Sequence, residues 1–181
     1  MSTGKQPKSA RRAKPPAKKP AKKAPTKKVK RGSSAPARQL RLQLAVEDRG
    51  RPRTDLTFVR QVVRAALQHC KQPQLPVSLL LTNDREIAKV HAEYLDDPTP
   101  TDVISFDLDG EADLVVSVET AKRIAKSQGH AVRAEVALYI VHGILHCCGF
   151  DDIKPRDRAR MRRAEREVMQ SLCLDYTFVD A

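Results

Sequence analysis

The string His142-Gly143-Ile144-Leu145-His146-Cys147-Cys148-Gly149-Phe150-Asp151-Asp152 holds residues whose types and spacing can do chemistry. Two histidines four apart on a helix lie about one turn along and roughly 40° around, so both imidazoles can face one ion. Gly149 can turn the chain out of the helix and let a residue just beyond fold back toward that ion. Asp152 stands there, and its carboxylate is an acceptable zinc ligand. Three protein ligands with an open fourth position is how a catalytic metal holds water. The donor set favours Zn2+, one per chain, and leaves iron, manganese and nickel open.

An isolated histidine pair on an apolar helix is more often a packing feature; the glycine turn and the acid that follows move the reading to a metal. Cys147 lies about 100° around the helix from His146, so Cys147 and Cys148 read as small core residues rather than soft ligands. A zinc peptidase of the H-E-x-x-H type has its general base directly after the first histidine, where this chain has Gly143, which disfavours peptidase chemistry.

These residues need a frame. The stretch Ala131 to Cys148 is the most apolar helical segment, with Val132, Val136, Tyr139, Ile140, Gly143 and Cys147 in register and a stop at Gly149. Pro155 opens a final helix with Ala164, Val168 and Leu172 on one side and Arg156, Arg160, Arg162, Arg163 and Arg166 spread mainly over its other faces. Upstream, Leu40, Leu42, Leu44 and Val46 alternate as a strand does, and Thr54 can cap a helix running to about His69. Val77 to Leu81 reads as a buried strand, and Asn83 or Asp84 begins a helix ended by Pro98 and Pro100. Asp102 to Phe106 and Asp113 to Val118 read as strands joined by an acidic turn, and Thr120 to Gln128 as a helix closed by Gly129. The expected class is α+β: a small mixed sheet packed with helices, one of them metal-binding.

Charge divides the 181-residue chain. Residues 1–38 hold 14 of the 34 Lys and Arg and no acid, so the formal charge of +12 belongs to this segment and the remainder is slightly acidic. Its Lys-Pro-Ala text cannot bury enough apolar surface to offset ordering entropy, so it is expected to be a disordered tail suited to non-specific nucleic-acid contact. Residues 39–181 are long enough for one self-sufficient core. Four cysteines without a C-x-x-C pair suit a reducing cytoplasm rather than a disulfide framework. The central uncharged run, Val136 to Phe150, is too short to span a bilayer, so no membrane partner is expected. No apolar run follows the basic start, and six prolines there disfavour an amphipathic transit helix.

The histidine string resembles the signature of the YbeY endoribonucleases, or rRNA maturation factors, H-G-x-L-H-x-x-G-[YF]-D-H. Its first ten positions are compatible from His142 through Asp151. Pro100-Thr101-Asp102-Val103-Ile104-Ser105-Phe106 is similar to the family's P-T-D-V-L-S-F, with Tyr94 at the aromatic position of the preceding N-x-x-[YF]-R. Ala112 to Ser117 is similar to G-D-I-x-I-S. The resemblance spans about residues 40–175 and implies an α+β fold with a zinc-binding helix. It also implies metal-dependent cleavage of single-stranded RNA in rRNA maturation, including the 16S 3′ end, and in ribosome quality control, with the small subunit as partner. The chain departs from the family at Asp152, where the family has a third histidine, and at Leu95, where it has an arginine implicated in activity. His91 and Asp107 replace the family's Asn and Pro.

In such an enzyme Asp151 would orient a ligand or act as acid or base, its alternative being a simple turn cap. His91 is read as a phosphate contact or proton carrier, against an ordinary half-buried helix histidine. Asp102 and Ser105 are placed where a strand can line the cleft, although Asp102 could equally cap the local turn. Lys122, Arg123, Lys126, Arg133, Lys154 and Arg156 are candidates for gripping RNA, against a merely solvated charged surface. A non-catalytic RNA- or ribosome-binding assembly factor that retains its metal site is the alternative function, and a metal hydrolase of another substrate is a third.

Overall fold

The computed structural model describes residues 12–13, 43–51, 53–174 and 176. The expectations for residues 1–38 and for the start of the first strand lie outside these, apart from Arg12–Ala13. The architecture is α+β, as the sequence indicates. Among the described residues four strands of five or six residues form a mixed sheet: β2 (Leu44–Asp48), β3 (Val77–Thr82), β4 (Val103–Asp107) and β5 (Ala112–Ser117). A two-residue strand, β1 (Arg12–Ala13), adds parallel to β4, giving the order β1-β4-β5-β3-β2. Strand β3 pairs parallel with β2 and β5, while β4 and β5 are antiparallel.

The β4–β5 turn follows from two residues. Asp109 and Gly110 both have positive φ, 41° and 101°, and the Leu108 and Glu111 backbones bond reciprocally across them. That is the two-residue hairpin for which Asp-Gly is a strong signal.

Among the described residues five helices complete the fold: α1 (Leu56–His69), α2 (Asp84–Leu95), α3 (Val118–Gln128), α4 (Val132–Cys147) and α5 (Pro155–Ser171). Alternation along the strands sends Leu79, Leu81, Val103, Leu114 and Val116 to one face of the sheet and Leu80, Ile104, Phe106 and Val115 to the other. Helices α1 and α4 cover the first face, with α5 laid on both. Helix α2 covers the second, where Ile87 meets Ile104 and Val115.

Local signals explain most boundaries. Asn83 and Ser117 each accept an N–H from the first turn of the helix they cap. The cap of α1 is Asp55, not Thr54: the Asp55 carboxylate accepts the Thr57 N–H, while the Thr54 N–H goes to the Asp48 carboxylate. Helix α3 begins at Val118, earlier than expected, since Ser117 ends β5 and caps the helix with no loop between. Strand β2 runs later than expected, but Leu44 and Val46 share its inward face, as their alternation requires.

Candidate metal centre

Helix α4 is buried on nearly every side from Ala134 to His146, as expected for a helix sandwiched between a sheet and other helices. Buried imidazoles on such a helix need polar partners. His142 and His146 have 14% and 3% of their side chains exposed, and Asp152 has 9%. The two Nε2 atoms stand 3.0 Å apart. Asp152 Oδ2 is 4.0 Å from His142 Nε2, and its Oδ1 is 3.8 Å from His146 Nε2. The three residues bring one ligand atom each into a group spanning no more than 4.8 Å.

The opposite ring nitrogens fix what these atoms present. His142 Nδ1 lies 2.6 Å from Glu165 Oε1, and His146 Nδ1 lies 3.1 Å from the Phe150 carbonyl oxygen. Carboxylate and carbonyl oxygens only accept, so both Nδ1 atoms donate and both neutral rings turn an Nε2 lone pair toward the other. Two lone pairs at 3.0 Å, facing a carboxylate, repel unless a proton or cation lies among them. The donor set therefore fits a divalent cation, and hydrogen bonds from outside the set aim both rings.

Glu165 was not legible as part of this site, although a carboxylate within the buried stripe Met161, Ala164, Val168 and Met169 was a signal. It is fully buried, and Arg162 Nη1 holds its second oxygen at 3.2 Å. Burial opposes a charge on His142, but the hydrogen bond and charge of Glu165, with Asp102 and Asp152, raise its pKa above the ordinary imidazole value. Burial and the neighbouring His142 push His146 below that value.

Two glycines shape the segment. A Cβ on Gly143 would lie 2.6 Å from Leu114 Cδ2 and 3.1 Å from Val103 Cγ2, so α4 rests on the sheet where a glutamate could not fit without displacement. Gly149, at φ 87°, turns the chain back after α4. Asp151 then accepts the N–H groups of Asp152 and Ile153 at 2.7 and 3.1 Å, which places it as a turn-forming residue beside the third candidate ligand. These bonds, led by that from Ile153, hold its carboxyl below the usual range. Arg158 reaches back to the carbonyl oxygens of Asp152 and Ile153 at 3.1 and 3.3 Å.

The remaining candidates are dispersed. Asp102 contributes to the field at His142, while its Oδ1 accepts the Val103 N–H at 2.8 Å. Ser105 is buried on β4 rather than lining an open cleft. His91 lies on α2, across the sheet from α4, with Nδ1 bonded to the Thr99 carbonyl at 2.7 Å. Arg123 is held by the Thr120 hydroxyl and Asp84, tying α3 to α2. Arg133 lies over the Phe58 ring, 4.6 Å from its centroid. Lys122 and Lys126 are exposed on α3. Lys154 and Arg156 are exposed where α5 begins, with Lys154 close enough to Asp151 to lower its pKa. Cys147 and Cys148 pack against the core, and Cys147 Sγ donates to the Phe106 carbonyl at 3.6 Å. Among the described residues no helix is long and apolar enough to cross a membrane.

In this α+β domain a buried His–His–carboxylate cluster that could hold a metal ion stands at the end of the central helix. Residues 47–173 match the family model described as Endoribonuclease YbeY. The chain belongs to the YbeY endoribonuclease family, and thus to nucleases that hydrolyse RNA. It is 35% identical over 134 residues to Endoribonuclease YbeY of Heliobacterium modesticaldum, covering 63% of this chain and 81% of that one. It is 30% identical over 157 residues to the Listeria monocytogenes protein of the same name, covering 75% and 98%. The solution structure of a Thermotoga maritima protein shares the fold, with a TM-score of 0.55 at 18% identity over 71% of this chain and 88% of that one.

Proposed function

We propose that the chain is a metal-dependent endoribonuclease that cuts single-stranded RNA in rRNA maturation, including the 16S 3′ end, and in ribosome quality control. The observation that supports it is the convergence of the His142 and His146 lone pairs with the Asp152 carboxylate, inside a family of endoribonucleases. His142, His146 and Asp152 would hold one cation per chain, zinc being the best match to two nitrogens and one oxygen. Such an ion supplies Lewis acidity toward a phosphoryl oxygen and toward water.

The chain's own residues do the rest. Glu165 and the Phe150 carbonyl keep both Nδ1 protons in place, so that the lone pairs stay aimed. Asp151 and Arg158 hold the turn that carries Asp152. Lys154 and Arg156, exposed beside that turn, are suited to the phosphates of a strand entering the site. The partner would be the small ribosomal subunit in the cytoplasm, with the basic segment 1–38 adding sequence-blind attraction to RNA.

Cleavage of a single-stranded RNA carrying the 16S 3′ region, by zinc-loaded protein, tests the reading beside His146→Ala and a chelated control. Loss of cleavage in both controls is expected. Undiminished cleavage after chelation, with metal content measured, would overturn metal dependence. The motif resemblance favours a second reading, a binding factor without turnover, because by that resemblance Leu95, at the end of α2, stands where the family has an arginine. Leu95→Arg separates the two, because a weakened nuclease gains rate and a binding factor stays inert.

A further inference from the structure

The starts of α1, α3 and α4 enclose a cleft of about 300 Å³ that shares no residue with the histidine cluster. Its floor is apolar: Phe58, Val118 and Val136 are buried and Val132 is half-buried. Two exposed arginines stand on its walls, Arg53 before α1 and Arg133 in the first turn of α4. The Arg133 guanidinium lies over the Phe58 ring, and neither arginine has an acidic partner among the described residues. The one acid on the wall, Asp55, turns Oδ1 to the Thr57 N–H at 2.8 Å as the cap of α1. Both guanidinium groups therefore keep their N–H donors for a ligand.

An apolar floor with a few convergent polar groups is the form of a small-ligand site. The ligand that suits this one joins a planar ring to an anion. A base can stack on the outer face of the Arg133 guanidinium, whose inner face rests on Phe58, while a phosphate takes paired N–H groups from Arg53. A purely apolar ligand would strip water from two guanidinium groups without replacing it. A bare phosphate would leave the floor unused. A nucleotide has both parts.

We propose that this cleft is a nucleotide subsite that holds one base and phosphate of a single-stranded RNA, remote from the metal cluster. The inference rests on the RNA reading given above, which supplies a polyanion to match the two arginines. Only an unpaired base can leave its neighbours and stack on a side chain, so the subsite selects single strands. Val132 is the first residue of α4, about 15 Å of helical rise before His142. A strand stacked at about 3.4 Å per nucleotide needs at least about five nucleotides to reach from one to the other.

The full chain, zinc-loaded and chelated in parallel, is titrated with a fluorescent single-stranded RNA carrying thiouridine. Binding is read by anisotropy, and the complex is then cross-linked with ultraviolet light and mapped by mass spectrometry. Cross-links to the peptides holding Phe58 and Arg133 are expected. Arg133→Lys keeps the charge but loses the plane, and is expected to weaken binding about fivefold or more. Arg53→Gln is expected to lower the salt slope of log K by about 0.7, the share of one phosphate contact. Arg64→Gln, at an exposed position farther along α1, removes the same charge and is expected to change neither. Circular dichroism checks the fold of each variant. RNA binding left unchanged by Arg133→Lys and Arg53→Gln, or cross-links confined to other peptides, would overturn the subsite and leave the nuclease reading standing. Adenosine monophosphate that fills the cleft while RNA stays uncross-linked there would assign it to a free nucleotide and overturn the RNA source. An unaltered chain that binds no RNA at all would overturn both readings together.

Discussion

Glu165 Oε1 lies 2.6 Å from His142 Nδ1, joining a fully buried carboxylate on α5 to a candidate metal ligand on α4. The bond fixes which nitrogen of His142 carries the proton, so the neutral ring has one lone pair to offer and a set direction for it. Glu165→Gln keeps an accepting oxygen but removes the charge. It is expected to lower zinc affinity by about 10–100-fold, read by competition with a chromophoric chelator. An unchanged affinity would show that Glu165 serves packing alone.

Asp152 is the acidic member of the cluster, and its oxygens stand 4.0 and 3.8 Å from the two Nε2 atoms. Asp152→Asn removes the anionic donor, and zinc affinity is expected to fall at least about tenfold. Asp152→His restores a neutral nitrogen donor and is expected to keep binding, with a preference moved toward softer ions. Isothermal titration with zinc and manganese distinguishes these outcomes, and equal affinities for Asn and Asp at position 152 would remove this residue from the ligand set.

Gly143 faces Leu114 and Val103 across the closest approach of α4 to the sheet. Gly143→Ala gains up to about 1 kcal/mol of helix propensity. The new methyl, however, meets Leu114 Cδ2 at 2.6 Å in a fully buried site, and overpacking there costs about 1–3 kcal/mol. The clash should win, and urea denaturation is expected to show a net loss of about 1–2 kcal/mol. A more stable variant would mean that α4 can lift from the sheet at little cost.

Asp84 joins the starts of α2 and α3 by accepting the hydroxyls of Ser117 and Thr120 at 2.5 and 2.6 Å, with Arg123 nearby. Burial would raise its pKa, but these bonds and the Arg123 charge lower it below the usual range. A folded pKa below the unfolded value of about 3.9 gives stability that is present above that pH and lost as pH falls through the folded value. Asp84→Asn is therefore expected to destabilise the protein at neutral pH and to flatten the decline of its stability below about pH 4. Urea midpoints at pH 7 and pH 3 check the sign.

Much of this structure was legible because its signals are short-range. Asn83, Asp109-Gly110, Gly129 and Gly149 each announce a boundary through backbone chemistry that operates within a few residues. The His142–His146 spacing placed both rings together for the same reason. Glu165 was not legible, because its importance arises from α5 lying against α4, a contact that no local pattern encodes. Arg123 was a candidate for RNA through its nearness in sequence to the metal helix, and its contacts with Asp84 and Thr120, the former far away in sequence, were not visible there. His91 and Asp102 lie close together in the chain, but the strand order puts the first on the face away from α4 while the second still acts on His142.

All three candidate ligands fall within one short run of chain, from His142 to Asp152, whereas Glu165 joins them from another helix. Closing so small a loop costs little entropy, so an unfolded chain keeps part of its hold on the ion. Because ligand binding stabilises a fold only by the difference between its affinities for the folded and unfolded states, chelation should lower the melting temperature by less than the native affinity alone implies. That difference rests on what is remote in sequence, the carboxylate of Glu165 and the arginine that steadies it.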